Sequence, residues 1–362
     1  MDHEHFVREQ HELNHAMLIV GQCGIPACAE GDPGVGKTAT MRALAEATQR
    51  QFMSYELSRT EPEDLQGFPV VSEYEFEKVM YKYMQFVPDE RLLKAQLHLS
   101  VLLLDEVTNV GAARQAPALN LVSHGLPNAW MFMCCNPIEN AADGHPLTCP
   151  FINRIWYGQW QTDIEAQDWG LTHQCQYPAP EVPLVPANYM DHQPYWGHLV
   201  CDYLRYHPEH RNACPKKDTE RSKPWPSSRS WEHITRALAG ASAVGASADV
   251  RYAIIQGLIG ERTGVSFQMY LSQLDLPKPE WVLDNANTYK WPQRYDVVLA
   301  IITCLVAHLR TTTDPAAFGQ AFVLLETLEK RNQEMASIFR GGLRLVNPKA
   351  IAEDDRKRLA AI

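Results

Sequence analysis

The run Gly31-Asp32-Pro33-Gly34-Val35-Gly36-Lys37-Thr38 matches the pattern G-x-x-x-x-G-K-[ST] at every fixed position. Its glycines let successive backbone amides turn inward towards phosphate oxygens, where β-carbons would obstruct them. Lys37 can then set its ammonium between the β- and γ-phosphates, and the Thr38 hydroxyl can ligate Mg²⁺. A helix continuing through Ala39 adds the positive end of its dipole. The chemistry is capture of a nucleoside triphosphate by residues 31–39. A chance glycine turn is the competing reading, and the flanking sequence weighs against it.

Before the loop, residues 24–30 read as a short apolar strand; after it, Lys37 to Gln51 has high helix propensity, with Met41, Leu44 and Ala45 at helical spacing. Further on, Val101-Leu-Leu-Leu-Asp105-Glu106 is an apolar run ending in two carboxylates, as a buried parallel strand looks where it delivers acids to a ligand. Asp105 suits a water-mediated hold on Mg²⁺ and Glu106 suits activation of an attacking water. A strand running into a solvated turn would look similar, but the order behind a phosphate loop favours catalysis.

A third strand, Trp130 to Cys135, ends in Asn136-Pro137. An amide there can accept from the attacking water and donate to a γ-phosphate oxygen, a pair of roles neither carboxylate fills; capping a turn before Pro137 is the plainer alternative. Asn153-Arg154 precedes a further strand, Ile155 to Trp160, which makes Arg154 a candidate to reach the γ-phosphate of a neighbouring subunit.

These segments resemble AAA+ ATPases of the MoxR-like group, whose ATPase module is related to those of dynein and midasin. The resemblance rests on the phosphate loop, on Arg59-Thr-Glu-Pro-Glu-Asp-Leu-Gln-Gly-Phe-Pro69, and on Leu104-Asp-Glu106 with the helix around Gln115 to Leu121. It continues through Asn136-Pro-Ile-Glu139, Ala142-Asp-Gly144, Asn153-Arg154 and Pro226-Ser-Ser-Arg-Ser-Trp231. It implies an α/β P-loop NTPase core with a parallel sheet, followed by a smaller all-helical lid. It also implies ATP and Mg²⁺ as ligands and a homo-oligomeric ring, commonly a hexamer. In such a ring Asn136 would stand at the sensor-1 position, Arg154 at the arginine finger, and Arg229 at the sensor-2 arginine that touches nucleotide from the lid. Two positions depart from the group's pattern: Thr108-Asn109 replace an Asn-Arg pair after the acids, and Asn153-Arg154-Ile155 replaces Asp-Arg-Phe. Such ATPases usually remodel or activate a protein, frequently one with a von Willebrand A domain. No Asp-x-Ser-x-Ser pattern occurs here, so another chain would supply that domain. A magnesium-chelatase-like ATPase subunit and a nucleic-acid motor are the alternatives. A GTPase is disfavoured because the chain lacks Asn-Lys-x-Asp.

A chain of 362 residues, 45% apolar and 21% charged, is long enough for a large α/β core and a second helical unit. Its 43 acidic against 33 basic side chains, a formal charge of -10, argue against binding nucleic acid by phosphate neutralisation. The cysteines number 9, include no C-x-x-C pair and accompany no secretion signal, which suggests reduced thiols in a cytoplasm. Among 14 histidines, His3 with His5 and His207 with His210 invite a zinc reading. Neither pair brings an evident set of further ligands, so Mg²⁺ is the one metal expected. The longest apolar stretch, Val297 to Leu309, is too short to span a bilayer and reads as a buried helix.

The expected organisation is an ATP-binding core over residues 1–165, a proline-rich connector over 166–226, a helical lid over 227–347 and a mixed-charge tail over 348–362. Within the core, residues 70–84 alternate apolar and charged side chains as an inserted hairpin would. In the resembling group such insertions face the pore of the ring. Tyr81 and Tyr83 would then grip a protein client, unless the hairpin is simply half-buried.

Overall fold

The computed structural model describes residues 3–140, 144–160, 164–175, 183–217, 220–272, 276–312 and 314–344, with single positions 162, 274 and 346. Ala142 and Asp143, the tail 348–362, and the side chains of His3 and His5 lie outside the described residues. The chain forms two compact units, one of residues 1–186 with 212–264, the other of residues 187–211 with 265–362.

The first unit opens with α1 (His3–Gln22), β1 (Ala27–Glu30), α2 (Lys37–Ala47), β2 (Gln51–Glu56) and α3 (Pro62–Gln66). It continues through β3 (Phe68–Phe76), β4 (Val79–Val87), α4 (Glu90–Leu97), β5 (Ser100–Asp105), α5 (Ala112–His124) and β6 (Ala129–Cys135). After these come α6 (Cys149–Ile152), β7 (Trp156–Gln159) and α7 (Ile164–Thr172). Five strands make a parallel sheet in the order β2-β5-β6-β1-β7. Interior strand β5 is apolar from Val101 to Leu104 because both faces are covered: Val101, Leu102 and Leu103 are each 0% exposed. Register aligns the strand ends, placing Glu56 beside Asp105 and Glu30 beside Cys135. The loop after β1 opens where strand order reverses, the usual ligand position in such sheets.

Several expected boundaries shift. The helix read as Lys37 to Gln51 ends at Ala47, where Thr48 caps it and Gln49 turns to φ 54. Gln51 instead starts β2, an edge strand whose alternate residues Met53 and Tyr55 enter the core. The first strand is confined to Ala27–Glu30, after Gly24 at φ 71 and the donorless Pro26. The N-terminal segment, polar at its start, becomes helix α1 with Ala16 to Val20 buried.

The inserted hairpin is longer than its expected bounds. β3 and β4 pair antiparallel from Phe68↔Val87 to Phe76↔Val79, joined by Glu77 and Lys78, both at positive φ. That two-residue turn matches the twist of the strands. Neither face is covered: Tyr74, Tyr81 and Tyr83 line one, Val71, Met80, Met84 and Phe86 the other, and all are exposed.

The second unit takes α8 (Gln193–Tyr206) from the expected connector. The chain then returns to the first unit for α9 (Ser228–Ala243) and α10 (Ala248–Ile259). Those two helices, read from sequence as the start of the lid, pack on α1, and α10 also on β7, where Trp156 Nε1 donates to the Ala253 carbonyl at 3.1 Å. α11 (Glu261–Ser272) passes into the second unit, which adds α12 (Pro279–Asp284), α13 (Tyr295–Thr311), α14 (Pro315–Glu329) and α15 (Gln333–Arg344). α13 carries the long apolar stretch, with Ile301, Leu305 and Leu309 at most 1% exposed. A turn at Lys330 to Asn332 separates α14 from α15. No helix among the described residues is long and apolar enough to cross a membrane.

Candidate active site

The loop after β1 is shaped by its glycines. Gly34 and Gly36 lie at φ 82 and 83, the left-handed region that side chains resist. Gly31 is needed for closeness, since a β-carbon there would stand 2.5 Å from the Trp160 carbonyl oxygen. Trp160 anchors the loop further by donating Nε1–H to the Val35 carbonyl at 3.1 Å, while Gly31 N donates to the Cys135 carbonyl at 3.1 Å.

Lys37 begins α2 and is 7% exposed. Its ammonium donates to the carbonyls of Gly31 at 2.5 Å and Asp32 at 2.9 Å, and to Asn136 Oδ1 at 3.1 Å. The sequence-derived lysine and asparagine, far apart in the chain, thus meet at neighbouring strand ends. Asn136 is fixed from behind as well, because buried Thr108 donates its hydroxyl to the Asn136 carbonyl at 2.9 Å. Thr108 is one of the two residues where the chain departs from the group's Asn-Arg, and here it braces the strand tip.

Thr38 Oγ1 donates to Asp105 Oδ2 at 2.7 Å, and Asp105 Oδ1 accepts from the backbone amide of Glu106 at 2.9 Å. Glu106 takes φ 59, ψ 38, a left-handed conformation that costs a non-glycine residue about 1–3 kcal/mol and is typical of functional sites. That turn carries the carboxylate off the strand line to Ser58, whose hydroxyl donates to Glu106 Oε2 and lies 3.2 Å from Glu56 Oε1. Hard oxygen donors, a hydroxyl and a carboxylate held together, are the set that suits Mg²⁺ rather than a softer metal.

Arg154 and Arg229 form a separate pair. Asn153, 7% exposed, donates Nδ2–H to the Trp225 carbonyl at 3.3 Å and accepts from Ser227 Oγ at 2.8 Å. Ser227 is the N-cap of α9, so this contact brings Arg229, in the first turn, to the charge of Arg154. An aspartate in place of Asn153 could not donate to Trp225, which gives the second departure from the group's pattern a physical reason. Arg154 donates Nη1–H to the Pro150 carbonyl at 2.6 Å, but its Nε is buried without a hydrogen-bond partner. Burial first, and then Arg229, lower its affinity for the proton. A partly buried Arg154 with a spare donor, beside the exposed Arg229, is an arrangement that favours an anion.

The structure brings together the loop, the acids and Asn136 that the sequence singled out, and adds contacts from Ser58, Thr108 and Trp160, to which the sequence gave no role. Ser58 stands one residue before the stretch that carried the family resemblance, and the aromatic residues Phe52 and Tyr55, which favour strands, were the available sign of the strand preceding it.

Residues 27–125 match the model of the ATPase family associated with various cellular activities (AAA). No curated protein matches the chain. Among solved structures, one similar to it is that of a "putative ATPase" from Cytophaga hutchinsonii ATCC 33406, 14% identical, covering 74% of this chain and 91% of that one at a TM-score of 0.44. The phosphate loop, acid pair and strand-tip amide assemble inside the matched segment, residues 27–125, or beside it, and the protein is an ATPase. It converts ATP and water to ADP and phosphate.

Proposed function

We propose that this ATPase is a ring-forming remodeller of the MoxR-like kind, acting on a protein client or on a partner with a von Willebrand A domain. The observation that carries the reading is the hairpin over Phe68–Val87, whose two faces both expose large apolar side chains. A two-stranded hairpin is marginal alone, and apolar area on this scale marks a surface that meets another molecule.

Within the nucleotide site, Lys37 and the amides of residues 31–39 hold the phosphates and Asn136 orients the γ-phosphate side. Glu106, kept off the strand line by its left-handed turn, accepts the proton of the attacking water. Thr38 and Asp105 would hold Mg²⁺, which supplies charge neutralisation for the transferred phosphoryl group. Arg154, with Arg229 beside it, serves a neighbouring subunit's site, which couples hydrolysis to assembly; arginines supplied this way contribute on the order of 10³ to 10⁵ in rate. The ring is expected to be a hexamer working in the cytoplasm. The acidic balance of 43 to 33 disfavours nucleic acid as the client.

Mixing two inactive variants tests the shared site. Arg154→Ala keeps its own Glu106, and Glu106→Gln keeps its Arg154, so hybrid assemblies regain ATPase activity if the arginine acts between chains. No recovery from variants that still co-assemble contradicts the proposal. For the hairpin, Tyr81→Ser with Tyr83→Ser should leave basal hydrolysis intact and abolish its stimulation by a captured client; unchanged stimulation would defeat the assigned role.

A further inference from the structure

Outside the nucleotide site, one group of metal-ligating side chains stands together among the described residues. His207, Glu209 and His210 each offer a ligand atom, and these atoms lie within 4.8 Å of one another. We propose that His207, Glu209 and His210 form a zinc-class transition-metal site at the C-terminal end of α8. The sequence showed the two histidines without evident further ligands; folding supplies Glu209 through the 3-10 turn Pro208–His210, which Pro208 opens with its fixed φ.

Three observations point to a cation here. The first is the way His210 is set. Tyr203, 0% exposed and one turn earlier on α8, donates its hydroxyl proton to Ser266 Oγ at 2.9 Å. Its oxygen therefore accepts from His210 Nδ1–H at 2.6 Å, and this tautomer carries the ring's lone pair on Nε2. Metal-binding histidines are commonly oriented in this manner, by a hydrogen bond at the other nitrogen. The second is spacing. His207 Nδ1 and Glu209 Oε1 are 3.4 Å apart, and two ligands at zinc bond lengths of about 2.0–2.1 Å on a tetrahedron stand roughly 3.3 Å from each other. The third is field. His207 caps α8, where the helix presents its partial negative charge, and the Glu209 carboxylate stands beside it.

The donor set selects among metals. Two imidazole nitrogens and one carboxylate oxygen suit zinc, cobalt(II) or nickel(II) far better than Mg²⁺ or Ca²⁺, and leave a fourth position for water. The packing of the rings adds rigidity: His207 lies 4.6 Å from Tyr203 between ring centroids, and the two imidazoles are within 16° of parallel. Binding would fasten the turn Pro208–His210 to the end of α8.

The test uses the full chain, stripped with chelator and dialysed against zinc. Bound metal should reach one zinc per chain, and cobalt(II) in its place should give the visible absorption of a four-coordinate nitrogen and oxygen site. His207→Gln with His210→Gln should abolish both signals. Glu209→Gln should weaken binding at least tenfold, and Tyr203→Phe about tenfold, because it removes the acceptor that sets the His210 tautomer. Circular dichroism and unchanged ATPase activity establish that the variants fold. The proposal is overturned if the intact chain binds no zinc at tens of micromolar, or if the double variant retains the zinc.

Discussion

Glu106, the proposed base, and Ser58 meet in a side-chain contact that no local stretch of sequence contains. If Ser58 orients the catalytic carboxylate, Ser58→Ala should lower the rate at saturating ATP about tenfold, roughly 1.4 kcal/mol in barrier, and leave KM near its original value. Steady-state kinetics decide this, and a faster variant would mean that Ser58 restrains Glu106 instead. His233 gives a second test at this scale. Burial, then Arg236 and Arg229, press its pKa down to about 4. The unfolded chain, near 6.5, therefore binds the proton first. The stability that follows from a neutral His233 is complete above about pH 6.5 and is lost as pH falls to about 4. Thermal melting across that window should lose up to roughly 3 kcal/mol more in the intact protein than in His233→Gln. Parallel pH profiles would contradict the assignment. The phosphate loop was legible because its whole chemistry sits in adjacent residues. Ser58 and Thr108 were not, because their roles arise only when β2, β5 and β6 align in register.

At the scale of elements, Asn153 links the segment bearing Arg154 to the cap of α9. Asn153→Asp keeps the volume but sets a carboxylate against the Trp225 carbonyl, and the lost donor should cost about 1–3 kcal/mol. A melting temperature several degrees lower is expected, with a larger fall in assembly-dependent than in residual activity. An unchanged melt would mean that this contact does not hold α9. The hairpin calls for the opposite outcome. Replacing residues 69–86 by a short turn removes no buried core, so melting and basal hydrolysis should both survive. The strands and most helices were readable from apolar runs of the right length. β2 escaped because its residues are polar at both ends and follow a helix closely, and the packing of α9 and α10 on α1 was not legible because helical periodicity says nothing about which surface a helix meets.

For the whole molecule, charge and length excluded broad classes without locating anything. The division of the chain into units depends on residues 187–211 leaving the first unit and residues 212–264 rejoining it, a path that no composition change marks. The proposal that unites these observations is a hydrolytic site made of Lys37, Thr38, Asp105, Glu106 and Asn136, with Arg154 serving a second copy of the chain. The measurement that tests it most directly is ATP hydrolysis per chain over a wide range of protein concentration, with Glu106→Gln carried alongside at equal nucleotide occupancy. The account expects a rate that climbs and saturates as chains assemble, and a variant that binds ATP yet falls by on the order of 10² or more. A Glu106→Gln protein as active as the intact one, or a rate per chain that stays flat while assembly proceeds, would contradict it.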